Sequence, residues 1–191
     1  MHPEIQFLEV DQDFDPSHHR GFIHLYKTAF SEAPYFETYT DEDVTNDVWN
    51  PHLKDGCIVV AVQNGTVVGF GCAMQADKWI HDKNFPEFLK HNADKLPASP
   101  EQICLMTEIA VSTEHRRKGI GTDLVKSRFE WARKKGYTHY IMRTAAKRSN
   151  SASLYQKLGG KIIEDLIQDV SAHAEEVQSQ STERIYIGGE I

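Results

Sequence analysis

The chain has 191 residues, of which 40% are hydrophobic, 26% charged and 10% aromatic, which suits one globular domain and speaks against a disordered chain. Its net charge of −7 is unevenly placed: residues 1–50 hold eleven Asp/Glu against Arg20 and Lys27, while residues 114–148 hold eleven Lys/Arg against Glu114, Asp123 and Glu130. An acidic chain with one basic stretch speaks against nucleic-acid binding and for a compact polyanionic ligand.

In chain order, residues 5–10 alternate apolar and polar and predict a first strand. Ser17 is placed to cap a helix carrying Phe22, Leu25, Tyr26, Ala29 and Phe30, and Thr40 with Asp43 has the capping-box spacing for a second helix to about Trp49. Between them residues 31–39 form an aromatic and acidic loop. Two apolar runs, 57–62 and 66–70, flank Asn64-Gly65 and predict a hairpin, because that pair accepts the positive φ of a type I′ turn. Residues 77–100, with Pro86, Pro97 and Pro100 among Trp79, Phe85, Phe88 and Leu89, read as an irregular, partly helical insertion. Residues 103–111 make a central strand, and residues 121–135 a helix with Leu124, Val125, Phe129, Trp131 and Ala132 on one arc, stopped by Gly136. Arg128 falls inside that arc, where it either snorkels or pairs. A strand at 137–142, a helix at 150–158 stopped by Gly159-Gly160, strands at 161–170 and 184–187, and a loop at 171–181 complete the chain. The expectation is an α/β fold in one domain, with a mixed central sheet of six to seven strands and helices on both faces.

Cys57, Cys72 and Cys104 each sit in an apolar run without metal-ligand spacing and read as small buried hydrophobes, so no metal site is expected. The first residues lack a basic segment followed by an apolar one, and no stretch approaches about 18 apolar residues, which predicts a cytoplasmic protein with no membrane partner.

The basic stretch begins with Arg116-Arg117-Lys118-Gly119-Ile120-Gly121, between the central strand and the helix. Two glycines give a tight turn, and the helix start adds unpaired N–H groups and the positive end of its dipole, which makes a phosphate cradle. Lys147 and Arg148 add charge nearby. The alternative is a basic surface turn. A Walker A loop is absent, and a dinucleotide fingerprint would need a small residue where Leu124 stands.

Arg116, Gly119 and Gly121 instead match Arg/Gln-x-x-Gly-x-Gly/Ala, which resembles the pyrophosphate loop of the GCN5-related N-acetyltransferase (GNAT) superfamily. The likeness extends over residues 57–160: Ile109-Ala110-Val111 before the loop, the helix after it, the strand 140–142, and the segment from Asn150 to Gly159 follow the family's motifs in order. Gly160 departs from it, since the family usually has an aromatic residue there. The resemblance implies a GNAT fold, with acceptor-side helices in 1–56, an insertion at 77–100 and a coenzyme-binding core at 103–160. It also implies acetyl-coenzyme A as co-substrate, held by Ile109, Ala110, Val111, Arg116, Arg117, Lys118, Gly119, Ile120, Gly121, Thr122, Asn150 and Ser153. A possible homodimer is in keeping with that fold.

By the same resemblance Tyr155 donates a proton to the departing thiolate; alternatively it is a core tyrosine beside Leu154 and Leu158. Asn150 would bond the pantetheine arm, or cap its helix, a task Ser149 can also perform. Glu108 is a carboxylate in an otherwise apolar strand, which is costly unless solvated or paired, so it is a candidate base, direct or through water. Its alternative is a strand residue facing solvent or a neighbour. The acidic N-terminal half, with Tyr35, Phe36 and Tyr39, would attract a small cationic amine, polyamine- or aminoglycoside-like, and residues 30–35 are similar to aminoglycoside 6′-N-acetyltransferases. A solvated acidic face is the plainer explanation. Protein or peptide N-acetylation and a non-catalytic acetyl-coenzyme A-binding module are the competing functions.

Overall fold

The computed structural model describes residues 4–33, 35–79, 82, 84–146, 150–169 and 183–191. The anticipated loop at 171–181 lies outside these, as do Lys147, Arg148 and Ser149. A seven-stranded sheet in the order β1-β2-β3-β4-β5-β7-β6 organises the chain. Its strands are β1 (Gln6–Glu9), β2 (Gly56–Gln63), β3 (Thr66–Gln75), β4 (Ile103–Val111), β5 (His139–Ala145), β6 (Lys161–Asp169) and β7 (Glu183–Glu190). Only β4 and β5 run parallel; every other neighbouring pair is antiparallel.

The β2–β3 hairpin turns at Asn64 and Gly65, whose φ values of 52° and 76° are those a type I′ turn requires. Helix α1 (Pro16–Ser31) is capped by Asp15 rather than Ser17: the Asp15 side chain accepts from the Ser17 amide, and Pro16, with its φ already fixed, occupies the first helical position. Thr40 and Asp43 do form the reciprocal capping box of α2 (Asp41–Asp43). The helical path then continues past Trp49, through a π turn (Val44–Trp49) into α3 (Asn50–Asp55). Pro51 accounts for the π turn, because it has no N–H for the carbonyl of Asp47 and its ring clashes with an ideal α path. Within the insertion lies α4 (Phe85–His91) with short 3₁₀ turns around it. Helix α5 (Ile120–Lys134) ends at Gly136 with φ 85°, and α6 is Asn150–Lys157.

Alternation along β2 splits the core between two faces. Ile58, Val60 and Val62 pack with Phe22, Tyr26, Phe30, Val48 and Trp49, whereas Cys57, Val59 and Ala61 pack with Ile120, Leu124, Val125 and Phe129. On β3, Phe70 and Cys72 lie beneath α1, while Met74, of the same parity, joins Trp79, Phe85 and Leu89 of the insertion. Helix α1 and the insertion therefore share one face, and α5 covers the other. Among the described residues no helix is long and apolar enough to cross a membrane.

Candidate active site

Strand β4 changes character halfway along. Against β3, Gly71 faces Ile109 but Ala73 faces Met106, so β4 carries one residue more than its partner and bulges at Thr107 and Glu108. The bulge reverses which residues point to which face. Cys104 and Met106 belong to the α5-side core, yet it is Ile109 and Val111 that pack there afterwards, and Ala110 that joins the α1 side. On the other edge, the parallel ladder to β5 ends at the pair Met106 and Met142, although β4 continues to Val111 and β5 to Ala145. The two strands part there, leaving the β5-facing edge of Ile109–Val111 outside any ladder.

A cavity of about 500 Å³ opens at that parting. Leu105 to Ile109 of β4 and Met142 to Thr144 of β5 line it, with Ser151 and Tyr155 from α6. Tyr26, Phe30, Tyr35, Glu37 and Tyr39 form the opposite wall, and Trp79, Asp82 and Asn84 come from the insertion. Glu108 and Tyr155, named from sequence on separate grounds, thus meet in one cavity. Burial pushes the hydroxyls of Tyr26, Tyr35 and Tyr39 up, and the nearby Glu108 charge adds to each shift. Tyr39 donates a 2.7 Å hydrogen bond to Glu37, a further reason it keeps its proton.

The Tyr155 side chain is wholly buried, and its hydroxyl accepts a 2.9 Å hydrogen bond from Arg128 Nη2. Burial raises its pKa, while the Arg128 charge and hydrogen bond oppose the rise, and the phenol stays protonated at neutral pH. The packing expected of a core tyrosine and the lining of a cavity are both realised in this one residue.

Beyond β4, Arg116 Nε donates to the Val111 carbonyl at 3.0 Å, and Arg116 Nη2 pairs with Glu32 at 3.4 Å. Its guanidinium braces the foot of the loop against the end of α1. Arg117 at φ 61° and Gly119 at φ 88° turn the chain into α5, and among the described residues no side chain caps the helix start. The amides of Ile120, Gly121 and Thr122 have no earlier carbonyl within helical reach, so they present donors to an anion. A Cβ at Gly121 would stand 3.4 Å from Leu154, which shows how closely α6 approaches this point. Arg117 and Lys118 are exposed, as are Asn150 and Ser153 on α6.

Of the eleven carboxylates in residues 1–50, only Glu37 lines the cavity; its other acidic residues, Asp82, Glu108 and Asp169, come from elsewhere in the chain. Tyr35 and Tyr39 face it, but Phe36 is turned out, 43% exposed at φ 51°. Two groups escaped the sequence reading. Arg143 pairs with Asp82 at 2.6 Å, bonds Gln168 at 2.9 Å and stacks 4.5 Å over Trp79, tying the insertion to β5 and β6. Buried His52 holds the bulge: its Nδ1 lies 2.6 Å from the Val48 carbonyl and its Nε2 2.7 Å from Thr107 Oγ1. The first rests on contacts between distant segments; in the second only the Val48 contact is local, His52 stands past the helix end expected at about Trp49, and Thr107 lies 55 positions away.

A sequence profile described as Acetyltransferase (GNAT) family matches residues 7–160. Human N-acetyltransferase 8 is 34% identical over 118 residues, which is 61% of this chain and 44% of that protein. The chain spans less than half the length of the curated relatives it matches first. Among solved structures, an N-acetyltransferase from Staphylococcus aureus Mu50 superposes with a TM-score of 0.70 at 15% identity, covering 98% of each chain. A GNAT family acetyltransferase from Elizabethkingia anophelis, solved with acetyl-CoA bound, superposes with a TM-score of 0.63 at 17% identity, again over 98% of each.

Proposed function

The chain belongs to the GNAT acetyltransferase family, and from that premise we propose that it moves the acetyl group of acetyl-CoA onto a primary amine, a small cationic one. The observation that carries this reading is the parting of β4 from β5 beyond Met106, with Glu108 and Tyr155 lining the cavity that opens there. A free strand edge suits an amide-containing arm, and the uncapped start of α5 suits a pyrophosphate; Gly119, in a left-handed conformation, and Gly121 keep side chains out of that cradle. Acetyl-CoA supplies the thioester that is cleaved.

The residues divide the reaction as follows. Glu108 takes a proton from the ammonium form of the amine, directly or through water, so that the nitrogen lone pair is free to attack the thioester carbonyl. A backbone N–H on the open edge of Ile109–Val111 stabilises the oxyanion of the tetrahedral intermediate. As the C–S bond breaks, Tyr155 passes its proton to the sulfur, the attacking nitrogen, made positive by forming the C–N bond, releases its second proton to solvent to leave the neutral amide, and the phenolate regains a proton from solvent. Tyr35, Tyr39, Trp79 and Glu37 offer ring faces and a carboxylate to a cationic acceptor. Buried free thiols at Cys57, Cys72 and Cys104 are in keeping with a reducing, cytoplasmic setting.

The test is thiol release from acetyl-CoA across a panel of polyamines, aminoglycosides, amino acids and peptides. Fastest turnover with di- and polycationic amines is expected. Mass shifts confined to peptides would move the acceptor to protein, and tight acetyl-CoA binding without turnover of any amine would make the chain a sensor instead. Tyr155→Phe should lose about 100-fold in kcat while binding the coenzyme normally.

A further inference from the structure

Arg128 is the only Lys, Arg, Asp or Glu among the described residues that is fully buried. It stands in the apolar arc of α5 between Leu124, Val125, Phe129 and Ala132, where an aliphatic side chain would fill the space without desolvating a charge. Room for it is made on β3: a Cβ at position 71 would lie 2.7 Å from Arg128 Nε, so only glycine admits the guanidinium. Once inside, it reaches four neutral oxygens. Nε donates to the Leu124 carbonyl at 3.2 Å, Nη1 to the carbonyls of Cys72 at 3.0 Å and Glu108 at 3.3 Å, and Nη2 to the Tyr155 hydroxyl at 2.9 Å.

Two of these contacts bear on the reaction. The guanidinium has donors and no acceptor, so the Tyr155 oxygen accepts from it and the phenol's own hydrogen points elsewhere, with the cavity beside it. The bond to the Glu108 carbonyl fixes the bulge that carries the Glu108 carboxylate. One buried cation is therefore tied to both residues that handle protons in the scheme above.

We propose that Arg128 is a positioning residue that makes Tyr155 an effective acid: it sets the direction of the phenol proton, holds the phenol in register with the Glu108 bulge, and stabilises the phenolate left when the O–H bond breaks and the S–H bond forms. The inference rests on the acid role given to Tyr155. Arg128 already opposes the rise that burial imposes on the Tyr155 pKa, as such a role requires.

The experiment is a double-mutant cycle over Arg128→Met, Tyr155→Phe and the double variant, using acetyl-CoA and the best amine of the panel, with kcat, both KM values and pH profiles measured. Arg128→Met should lower kcat by about tenfold or more with the coenzyme KM unchanged, and should move the alkaline limb of kcat to higher pH, because the phenol loses the cation that eased its ionisation. In the Tyr155→Phe background the same change should cost less than about twofold. Equal losses in both backgrounds, or an unmoved alkaline limb, overturn the proposal. Should Arg128→Met fail to fold, Arg128→Lys decides: it keeps the charge, so the limb should stay in place while kcat falls only where Tyr155 is present, and an equal fall in the Phe background overturns it. Full activity in Tyr155→Phe would instead sink the acid reading itself, whereas an impaired Tyr155→Phe beside a fully active Arg128→Met sinks only the role of Arg128.

Discussion

The coenzyme side and the acceptor side of the cavity are made of different chemistry. On the coenzyme side, β4, the loop and α5 follow one another from Ile103 to Lys134, and they offer backbone: a strand edge outside any ladder and the amides at a helix start. On the acceptor side the groups are side chains gathered from α1, the loop after it, the insertion, β6 and β7. A backbone site is indifferent to most side-chain changes but sensitive to backbone conformation. A site of scattered side chains can be altered one residue at a time while the fold is untouched. Changes on the two sides should therefore fail in different kinetic constants.

Glu108 sits where the two sides meet, and its substitution should have the largest effect. Glu108→Gln keeps the shape of the bulge but removes the base, so kcat should fall by about 100-fold with both KM values near their original values. Recovery of much of that rate at high pH, where the amine is already neutral, would mark the loss as one of proton removal. A rate unchanged at every pH would remove Glu108 from the site.

Purely on the coenzyme side, Gly119→Val forces a β-branched residue into a backbone with φ 88°. Strain of about 1–3 kcal/mol should weaken acetyl-CoA binding by about 5- to 150-fold, read by calorimetry, with the amine KM at saturating coenzyme unmoved. Purely on the acceptor side, Glu37→Gln retains an acceptor for the Tyr39 hydroxyl and removes one negative charge. The amine KM should rise about fivefold at low salt and less at high salt, with coenzyme affinity constant. If Glu37→Gln weakened the coenzyme, or Gly119→Val the amine, the division between the two sides would not hold.

The same difference decides what could be read from sequence. Strands, the Asn64-Gly65 turn, the Thr40 and Asp43 box and the glycine turn at Gly119 that opens α5 follow from residues near one another in the chain, and all are present where spacing put them, within a few residues. A capping box says where a helix begins and not where it ends, so the π turn and the continuation past Trp49 into α3 are not legible in it. Net charge does not say which carboxylates face the cavity. The acidity of residues 1–50 is a property of the segment, whereas the cavity takes only Glu37 from it and draws Asp82, Glu108 and Asp169 from distant positions. Arg128 was ambiguous for a related reason: the groove that admits it is a glycine on another strand, at position 71.

A smaller effect tests whether the coenzyme side also compensates its departures locally. Gly160 stands where an aromatic residue was expected, and a Cβ there would lie 2.5 Å from the Tyr140 hydroxyl, so the Tyr140 ring comes in from β5 to occupy that space. It packs 4.7 Å from Phe129 and 5.8 Å from Tyr155, centroid to centroid, while its buried hydroxyl finds no hydrogen-bond partner among the described residues. Tyr140→Phe keeps the ring and removes the orphaned hydroxyl, so it should stabilise the fold by about 1 kcal/mol and raise Tm by about 2–4 °C. Burial first, then the neighbouring Tyr155, pushes the Tyr140 pKa from 10.0 up to about 12. Between those values the unfolded chain has already lost the proton that the folded one keeps, so wild-type stability falls as pH rises above 10, and the fall from this group is complete near 12. The Phe variant lacks that slope, and its advantage over wild type should widen across the same interval in thermal melts. A Tyr140→Phe protein that is less stable than wild type would show that the hydroxyl has a partner after all, and that the ring alone does not substitute for the missing aromatic at 160.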